Sequence, residues 1–166
     1  MKALPPQAYL NQLFIYDPLT GDLRWRHNSG RRGAGKPAGT RKPRGIQIFV
    51  DYKQYAAHRL IFKMVEGYDP PTILDHHNCD CWDNRWDNIR LADNGLNVGN
   101  SRIRRDNLSG FKGVHIRRRG KSIRYRAIIE RHGKRYLLGD FKTPEEAHTA
   151  YVAAAKIHFG PFFNSG

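Results

Sequence analysis

The feature that most constrains the fold is a set of three alternating segments in the last third of the chain. Apolar and polar side chains alternate along residues 114–117, 124–129 and 135–138, and this alternation predicts β-strands with one buried face. Turn signals at Arg119-Gly120 and His132-Gly133 separate the segments, so we expect three antiparallel strands. The apolar face would carry Val114, Ile116, Tyr125, Ala127, Ile129, Tyr136 and Leu138.

A helix is expected after the third strand. The run from Thr143 to Glu146 supplies a capping hydroxyl, a proline for the first turn and two acids near the positive end of the helix dipole. An apolar stripe follows, made of Ala147, Ala150, Tyr151, Ala154 and Ala155. Because this stripe can lie on the apolar face of the strands, we predict a small three-stranded antiparallel sheet packed on one helix.

The first hundred residues predict further short helices and strands, so the fold class is α+β. Helical spacing and short apolar runs indicate two helices, over about residues 4–14 and 56–66, and four strands, at residues 23–25, 46–50, 73–76 and 89–91. A polar loop joins the last two strands. Asp93 or Asn94 can cap a helix that follows them.

The net charge indicates a polyanionic partner. The chain has 29 Lys and Arg against 15 Asp and Glu, a formal charge of +14, and such an excess usually reflects a polyanion. No apolar stretch approaches the ~18 residues of a membrane-spanning helix, and we find no basic amphipathic helix. We therefore expect double-stranded DNA and no membrane as partner, in the cytoplasm of a bacterial or phage-infected cell and associated with the nucleoid.

Two cysteines, Cys79 and Cys81, lie one residue apart. No apolar leader follows Met1, so a reducing compartment without a disulfide framework is expected. With His77 nearby, a zinc site is an alternative interpretation, although a structural zinc usually needs four ligands. Free thiols are the preferred interpretation.

Four polar residues around the two later strands form a candidate catalytic set. Asp75 and His76 end one strand and Asn88 precedes the next, while Asn97 lies on the following helix. Folded as strand, strand and helix, this order would bring a carboxylate, an imidazole and an amide oxygen together. Oxygen ligands hold magnesium or a similar ion, and a neutral imidazole can accept a proton from water near neutral pH. The set suits metal-assisted hydrolysis of a phosphodiester.

The motifs around this set resemble the HNH nucleases of phage and homing-endonuclease type, over roughly residues 13–100. They are Tyr16-Asp17-Pro18 with Thr20-Gly21, Gly45-Ile46, Ala57-His58-Arg59-Leu60, Asp75-His76, Asp83-Asn84-Arg85, Asn88-Ile89-Arg90 and Asn97 to Asn100. The resemblance implies a ββα-metal (His-Me finger) fold, with His76 as general base. It implies that Asp75 and Asn97 bind a divalent ion, magnesium or alternatively manganese. Asn88 would brace the loop and help to orient the base.

The sequence departs from this family at Cys79-Asp80-Cys81-Trp82, where relatives commonly carry a Gly-Asp type of turn. Two other histidines lie near the set. We expect His58 to pack in the fold, and His77 to point away from the site if the strand continues. Trp25 is expected in the core, whereas Trp82 and Trp86 could pack in the core or stack on bases.

The C-terminal part resembles the Apetala or ethylene-response-factor type of DNA-binding domain, over about residues 109–164. The similarity rests on Gly110-Phe111-Lys112-Gly113-Val114, Leu138-Gly139-Asp140-Phe141 and Thr143-Pro144-Glu145-Glu146-Ala147 with Ala150-Tyr151. It implies a three-stranded sheet that reads DNA. Plant members carry aromatic groove contacts that are absent here, and Leu137 occupies one such place, so the sequence preference does not carry over.

These resemblances divide the chain into an HNH nuclease domain at residues 1–100, a basic linker at 101–108 and a DNA-binding domain at 109–166. An arginine-rich sheet face can enter a major groove, where guanidinium groups match guanine edges and phosphates. The expected DNA-binding residues of the linker and sheet are Arg102, Arg104, Arg105, Lys112, His115, Arg117, Arg119, Arg124, Arg126 and Arg135. An N-terminal basic loop would add phosphate contacts through Arg31, Arg32, Lys36, Arg41, Lys42 and Arg44.

We expect a metal-dependent DNA endonuclease. One active site per chain suggests nicking by a monomer, while a dimer or sequential action would allow both strands to be cut. Two alternatives remain open: a non-catalytic DNA-binding regulator on a nuclease scaffold, and a zinc-stabilised interaction protein.

Overall fold

The structure is a computed structural model that describes residues 3–28 and 33–165. Contacts divide the chain into two compact units, Met1–Leu91 and Ala92–Gly166. By this division residues 92–108 group with the second unit, whereas the sequence places domain limits after residues 100 and 108, which remain predictions. Both units mix helices with small antiparallel sheets, so the α+β class is confirmed.

The first unit is built from two helices and three small sheets within its described residues. The helices are α1 (Gln7–Leu13) and α2 (Ala57–Glu66), and the strands are β1 (Phe14–Tyr16), β2 (Leu23–Trp25), β3 (Thr40–Lys42), β4 (Gly45–Val50), β5 (Lys53–Ala56), β6 (Ile73–His76) and β7 (Ile89–Ala92), whose last residue is the first of the second unit. Strand β1 pairs with β2, β4 lies between β3 and β5, and β6 pairs with β7.

The core of the first unit forms where α1 and α2 pack on the strands. Phe14, Ile48 and Leu60 are fully buried in one cluster, and Trp25 packs against Phe14 there, as expected. Helix α2 ends at Gly67, as expected, and this glycine has the left-handed φ of +83° that favours a residue without Cβ.

The second unit contains the predicted sheet and helix. Its strands are β8 (Val114–Arg119), β9 (Ser122–Arg131) and β10 (Lys134–Phe141), all antiparallel in the order β10-β9-β8, and its helices are α3 (Asn94–Asn100) and α4 (Pro144–Phe159). The Asp93 carboxylate accepts a hydrogen bond from the Leu96 N–H at 2.6 Å and thereby caps α3. At α4 the Thr143 hydroxyl and the Glu146 carboxylate form a reciprocal capping box.

The core of the second unit lies between β9 and α4. Ala127, Ile129, Tyr151 and Ala155 are buried there together with Val114, Ala147 and Phe159. In β10, Leu138 packs against the core and Leu137 is 60% exposed, as the alternation predicts, whereas Tyr136 is 42% exposed. A bulge between Leu137 and Gly139 then inserts an extra residue, so that beyond it Phe141 rather than Asp140 packs against the core.

The first helix begins later than the sequence indicates. It starts at Gln7 rather than near Leu4, since a residue that precedes proline avoids the helical region and Pro5-Pro6 follow Leu4. Strands β1, β3 and β5 were not expected, because runs of three or four residues carry little periodicity. Within the described parts of the chain, no helix is both long enough and apolar enough to cross a membrane.

Candidate active site

His76 ends β6 with its ring buried, and contacts with Asn84 and His58 help to orient the ring. Its Nε2 lies 3.0 Å from the side-chain oxygen of Asn84, and its ring meets that of His58 edge to face, with centroids 5.0 Å apart. An amide oxygen can only accept, so the neutral His76 ring donates its Nε2–H to Asn84. The lone pair of the ring then resides on Nδ1, which is the tautomer that a base acting through Nδ1 requires.

Asn84 is the residue that the sequence analysis missed. It lies in the segment between β6 and β7, residues 77–88, which we call the site loop, and it is 2% exposed. The Tyr16 hydroxyl donates to its backbone oxygen at 2.8 Å, and burial, with nearby Asp17, raises the pKa of Tyr16, so this donor keeps its proton. The run Asp83-Asn84-Arg85 was noted as a motif, but nothing in the sequence gave Asn84 a partner.

The turn at Asp17–Gly21 supports the same point of the loop. The Trp86 N–H donates to the Pro18 oxygen at 3.0 Å. Gly21 has φ +77°, and a Cβ there would lie 2.5 Å from the Arg85 nitrogen. Glycine is therefore required by both the backbone conformation and the close approach.

Asn88 braces the site loop through its amide. Its oxygen accepts from the Asn78 N–H at 2.9 Å, and its nitrogen donates to the Asp83 oxygen at 2.7 Å. The amide thus joins two backbone positions five residues apart. The side-chain hydrogen bond to His76 comes from Asn84, whereas the Asn88 amide bonds to the backbone of the loop.

The Asp83 carboxylate makes a second set of contacts within the site loop. It forms an ion pair with Arg85 at 2.7 Å and accepts a bond from the Asn78 amide, also at 2.7 Å. Hydrogen bonding from Arg85 holds the pKa of Asp83 at about 2. The carboxylate therefore stays ionised across the working pH range.

Asp75 is a buried carboxylate with a partly buried cationic partner, Arg90. Its Oδ2 accepts from Arg90 Nε at 3.0 Å and Nη2 at 2.9 Å, which links β6 to β7. A buried carboxylate requires such a partner. A carboxylate oxygen is a hard ligand, so Asp75 has the chemistry that a magnesium ion would need.

His58 lies on α2 and its ring contacts that of His76. Burial lowers the pKa of His58 to about 3, and the neighbouring His76 and Arg59 add to this effect. Its Nδ1 is buried without a hydrogen-bond partner in the structure. The His58 ring is therefore neutral and packs against the ring of His76, in line with the expectation that His58 packs in the fold.

The remaining residues near the loop differ in position. His77 is exposed and its N–H donates to the Asn88 oxygen at 2.9 Å. Cys79 and Cys81 are partly buried, and no disulfide joins them. In the described portion of the chain, no group of three or more His, Cys, Asp and Glu side chains is placed to hold a metal ion.

Asn97 is the member of the catalytic set that lies in the second unit. It is exposed on α3, and its backbone N–H bonds to the Asp93 oxygen at 3.0 Å. The structure thus brings His76 together with Asn84 and His58, and Asp75 together with Arg90. The convergence of Asn97 with Asp75 and His76 stays a prediction.

The outer face of β8, β9 and β10 carries the expected row of arginines, but half of them have acidic partners. Arg126 pairs with Asp140 at 2.6 Å, and Arg135 pairs with Glu130 at 2.9 Å, across neighbouring strands. Arg117 and Arg124 lie opposite each other on β8 and β9, without an ion-pair partner among the described residues. The uncompensated charge of this face therefore lies on the β8 side, where Arg119 and His115 are also exposed.

Lys112 corrects one expectation about DNA contacts. It is 8% exposed, and its ammonium donates to the backbone oxygens of Gly99, Ser101 and Asn164 at 2.7, 2.5 and 2.9 Å. These three bonds use all its donors. Lys112 therefore ties segments of the second unit together and leaves the set of expected DNA ligands.

The other expected basic contacts are exposed where they are described. Arg102, Arg104 and Arg105 lie at the surface, with Arg104 paired to Asp106 at 3.1 Å. Arg31 and Arg32 fall outside the described residues. The remaining exposed cations of the N-terminal loop are Lys36, Arg41, Lys42 and Arg44.

Trp82 and Trp86 occupy different environments. Trp86 is partly buried beside Phe62, with ring centroids 6.0 Å apart. Trp82 is 43% exposed, and its indole N–H donates to the Lys42 oxygen at 2.9 Å.

A family model described as HNH endonuclease matches residues 55–95. The matched stretch runs from β5 to the start of α3 and contains His58, Asp75, His76, Asn84 and Asn88. Comparisons with curated proteins and with solved structures gave no match. Over these residues the chain is similar to HNH endonuclease domains, and this similarity suggests nuclease activity on DNA.

Proposed function

We propose that this protein is a metal-dependent DNA endonuclease of the HNH type in which His76 is the general base. The observation that carries the proposal is the hydrogen bond from His76 Nε2 to Asn84 Oδ1 at 3.0 Å. This bond selects the tautomer with a basic Nδ1. It lies within the stretch that matches HNH endonucleases.

In the proposed reaction, His76 accepts a proton from a water molecule as its oxygen attacks phosphorus. The bond from phosphorus to the 3′ oxygen breaks, and the departing oxygen takes a proton from solvent. The products are a 5′-phosphate and a 3′-hydroxyl. Asn84 holds the ring during proton transfer, since its oxygen continues to accept the Nε2–H when the ring becomes cationic.

Asp75 and Asn97 are the residues that would hold the divalent ion. When bound, such an ion neutralises charge that develops on the phosphate. The donor set fits magnesium, which is commonly held by one or two carboxylates with water and substrate phosphate. Manganese prefers similar oxygen ligands. This assignment presupposes the ββα-metal arrangement of β6, β7 and α3, with a nuclease domain that extends to residue 100.

The second unit would target DNA through the outer face of β8 to β10. Its three-stranded sheet on one helix is the arrangement that the similarity to Apetala and ethylene-response-factor domains implies. A domain at residues 109–166, joined by a basic linker at 101–108, would let one chain hold and nick DNA as a monomer.

The test is a nicking assay on supercoiled plasmid DNA with magnesium or manganese, run with and without a chelator. We expect nicked circles with either ion and none with the chelator. Ligation of the nicked product without end repair would confirm the 5′-phosphate. Absence of nicking with both ions on a large and diverse DNA library would refute the proposal.

One observation favours a non-catalytic DNA-binding regulator as a second candidate. The Arg90 guanidinium places two donors on Asp75 Oδ2, and a carboxylate engaged in this way binds a cation less readily. The regulator would bind DNA at full strength with the chelator and never nick it. The same plasmid assay, combined with a binding measurement, separates the two.

A further inference from the structure

The end of β3 and the turn that follows it concentrate positive charge. Arg41, Lys42 and Arg44 lie within four residues, and Pro43 between them restricts the backbone. All three side chains are exposed, and none has an ion-pair partner among the described residues. We call residues 41–44 the basic turn. Three like charges on so short a turn repel one another unless an anion binds.

The basic turn is fastened to the site loop by Trp82. The indole N–H donates to the Lys42 oxygen at 2.9 Å, and the Arg41 guanidinium lies over the indole ring at 5.8 Å from its centroid. A cation in this position is attracted to the electron-rich ring face. Both contacts therefore join a charged residue of the turn to the same side chain of the loop.

Cys81 makes a second connection. Its thiol lies 3.7 Å from the Pro43 oxygen. Gly45, directly after the turn, has φ +104°, and a Cβ there would lie 3.0 Å from the Cys81 oxygen. The close approach needs a residue without a side chain, so the backbones of turn and loop are in direct contact.

The site loop carries this connection to the candidate base. Trp82 is two residues before Asn84, whose side chain binds His76. The intervening Asp83 is held by the Asn88 amide and by Asn78. Because the loop is braced on both sides of Trp82, a shift of the basic turn would move Asn84 and with it the ring of His76.

We propose that the basic turn is a phosphate clamp that binds the DNA backbone beside the bond to be cut and, through Trp82, sets the position of the base. The clamp recognises phosphate charge rather than base sequence. The binding part stands by itself, whereas the positioning of His76 rests on the proposed function.

The first experiment measures DNA binding by the full chain in chelator, so that no cleavage is needed. The affinity for a labelled mixed-sequence duplex is measured against salt for wild type and for R41Q, K42Q, R44Q and the triple variant. Each lost phosphate contact should reduce the slope of log K against log salt by about 0.9. Lys53→Gln changes an exposed lysine at the start of β5, beside the opposite turn of the same sheet; it is the matched control and should leave the slope unchanged. An unchanged slope in the triple variant would overturn the clamp.

The second experiment tests the connection without using cleavage. The indole N–H signal of Trp82 in an NMR spectrum, assigned by its loss in Trp82→Phe, should move when DNA is added to wild type. It should stay in place when DNA is added to the triple variant at saturating concentration. A Trp82 indole signal that does not shift when DNA is added to wild type would overturn the proposed connection between the basic turn and the site loop.

The third experiment separates positioning from binding in the nicking assay. Trp82→Phe keeps an aromatic ring but loses the indole N–H, and Trp82→Ala loses both the ring and the N–H. We expect kcat to fall by roughly 10-fold in Phe and up to 100-fold in Ala, with KM nearly unchanged, because misplacement of reacting groups lowers the chemical step. Tyr52→Leu, a fully exposed aromatic in the same unit, is the control. Wild-type kcat in Trp82→Ala would overturn the positioning role, whereas no nicking by wild type would refute the proposed function and leave the first two experiments to decide on the clamp.

Discussion

The site loop of the first unit and the outer face of β8 to β10 in the second both carry polar residues that are expected to meet DNA. The two regions differ in how far these residues are buried and in how firmly their partners hold them. In and beside the loop, Asp75, His76, Asn84 and Asn88 are buried, and each has a defined hydrogen-bond partner. On the sheet most of the charges are exposed, and two of the arginines each form an ion pair with an acidic residue of the neighbouring strand. Proton transfer requires a fixed geometry, whereas attraction of a polyanion requires only accessible charge.

The energetic consequences differ accordingly. Removing one partner of a buried ion pair such as Asp75–Arg90 commonly costs about 3–5 kcal/mol, because it leaves an uncompensated charge. A partly exposed pair such as Arg126–Asp140 contributes little, because solvent and salt screen its charges. Substitutions in the loop should therefore change activity or folding strongly, and those on the sheet should change binding by small steps.

The largest effect is expected from His76→Ala. Loss of a general base should lower the cleavage rate on the order of 10²- to 10⁴-fold, while DNA binding in chelator stays near wild type. His77→Ala is the matched control, since this neighbouring side chain is exposed. Wild-type cleavage by His76→Ala would remove the contrast between the two regions.

Lys112→Met tests the reassignment of that residue. Three backbone oxygens lose a charged donor, so the free energy of unfolding of the second unit should fall by about 2–4 kcal/mol. The salt dependence of DNA binding, measured below the unfolding midpoint, should stay unchanged. Lys156→Met, at an exposed position of α4, is the control. A shallower salt slope with normal stability would return Lys112 to the DNA contacts.

Asn84→Ala should act on the chemical step. Without the acceptor at Nε2, the His76 ring can adopt the wrong tautomer or rotate, and we expect kcat to fall on the order of 10- to 100-fold, as for other residues that orient a histidine. Asn88→Ala should have the smaller direct effect, because its amide bonds only to loop backbone. Equal kcat values for Asn84→Ala and wild type would show that the Asn84 bond is not used.

The lowered pKa of His58 predicts that the free energy of unfolding depends on pH. Its pKa is about 3 in the folded protein against 6.5 in the reference state. Between these two pH values the unfolded chain binds a proton at His58 and the folded chain does not. The resulting stability is full above about pH 6.5 and is lost as the pH falls toward 3, by up to about 1.4 kcal/mol per pH unit. Urea unfolding at pH 7, 5 and 4 should show this loss in wild type and less of it in His58→Phe. Parallel curves for both proteins would contradict the assignment.

The smallest effects distinguish paired from unpaired arginines on the sheet. Arg124→Gln should reduce the salt slope of DNA binding by about 0.9, and Arg126→Gln should reduce it less, because Asp140 already neutralises Arg126. Asp140→Asn should strengthen binding. The same slope change for Arg124→Gln and Arg126→Gln would show that the ion pair opens on DNA.

Much of the fold could be predicted from the sequence, because its signals are local. The alternation in β8 and β9, the capping residues of α4 and the glycine that ends α2 act within a few positions of one another. The candidate base and carboxylate were identified as the last residues of a short strand before a polar loop, a pattern that also requires no knowledge of distant contacts.

The tertiary structure alone decided which partners these residues have. Asn84 reaches His76 because the loop is pulled toward Tyr16 and the Asp17–Gly21 turn, and Arg90 reaches Asp75 because β6 and β7 pair. Lys112 turns inward because three carbonyls from distant segments converge on it, and the bulge at Leu138 shifts the face of β10. Hydrogen bonds between residues far apart in the chain depend on the path of the backbone between them, and residue type and spacing do not encode that path.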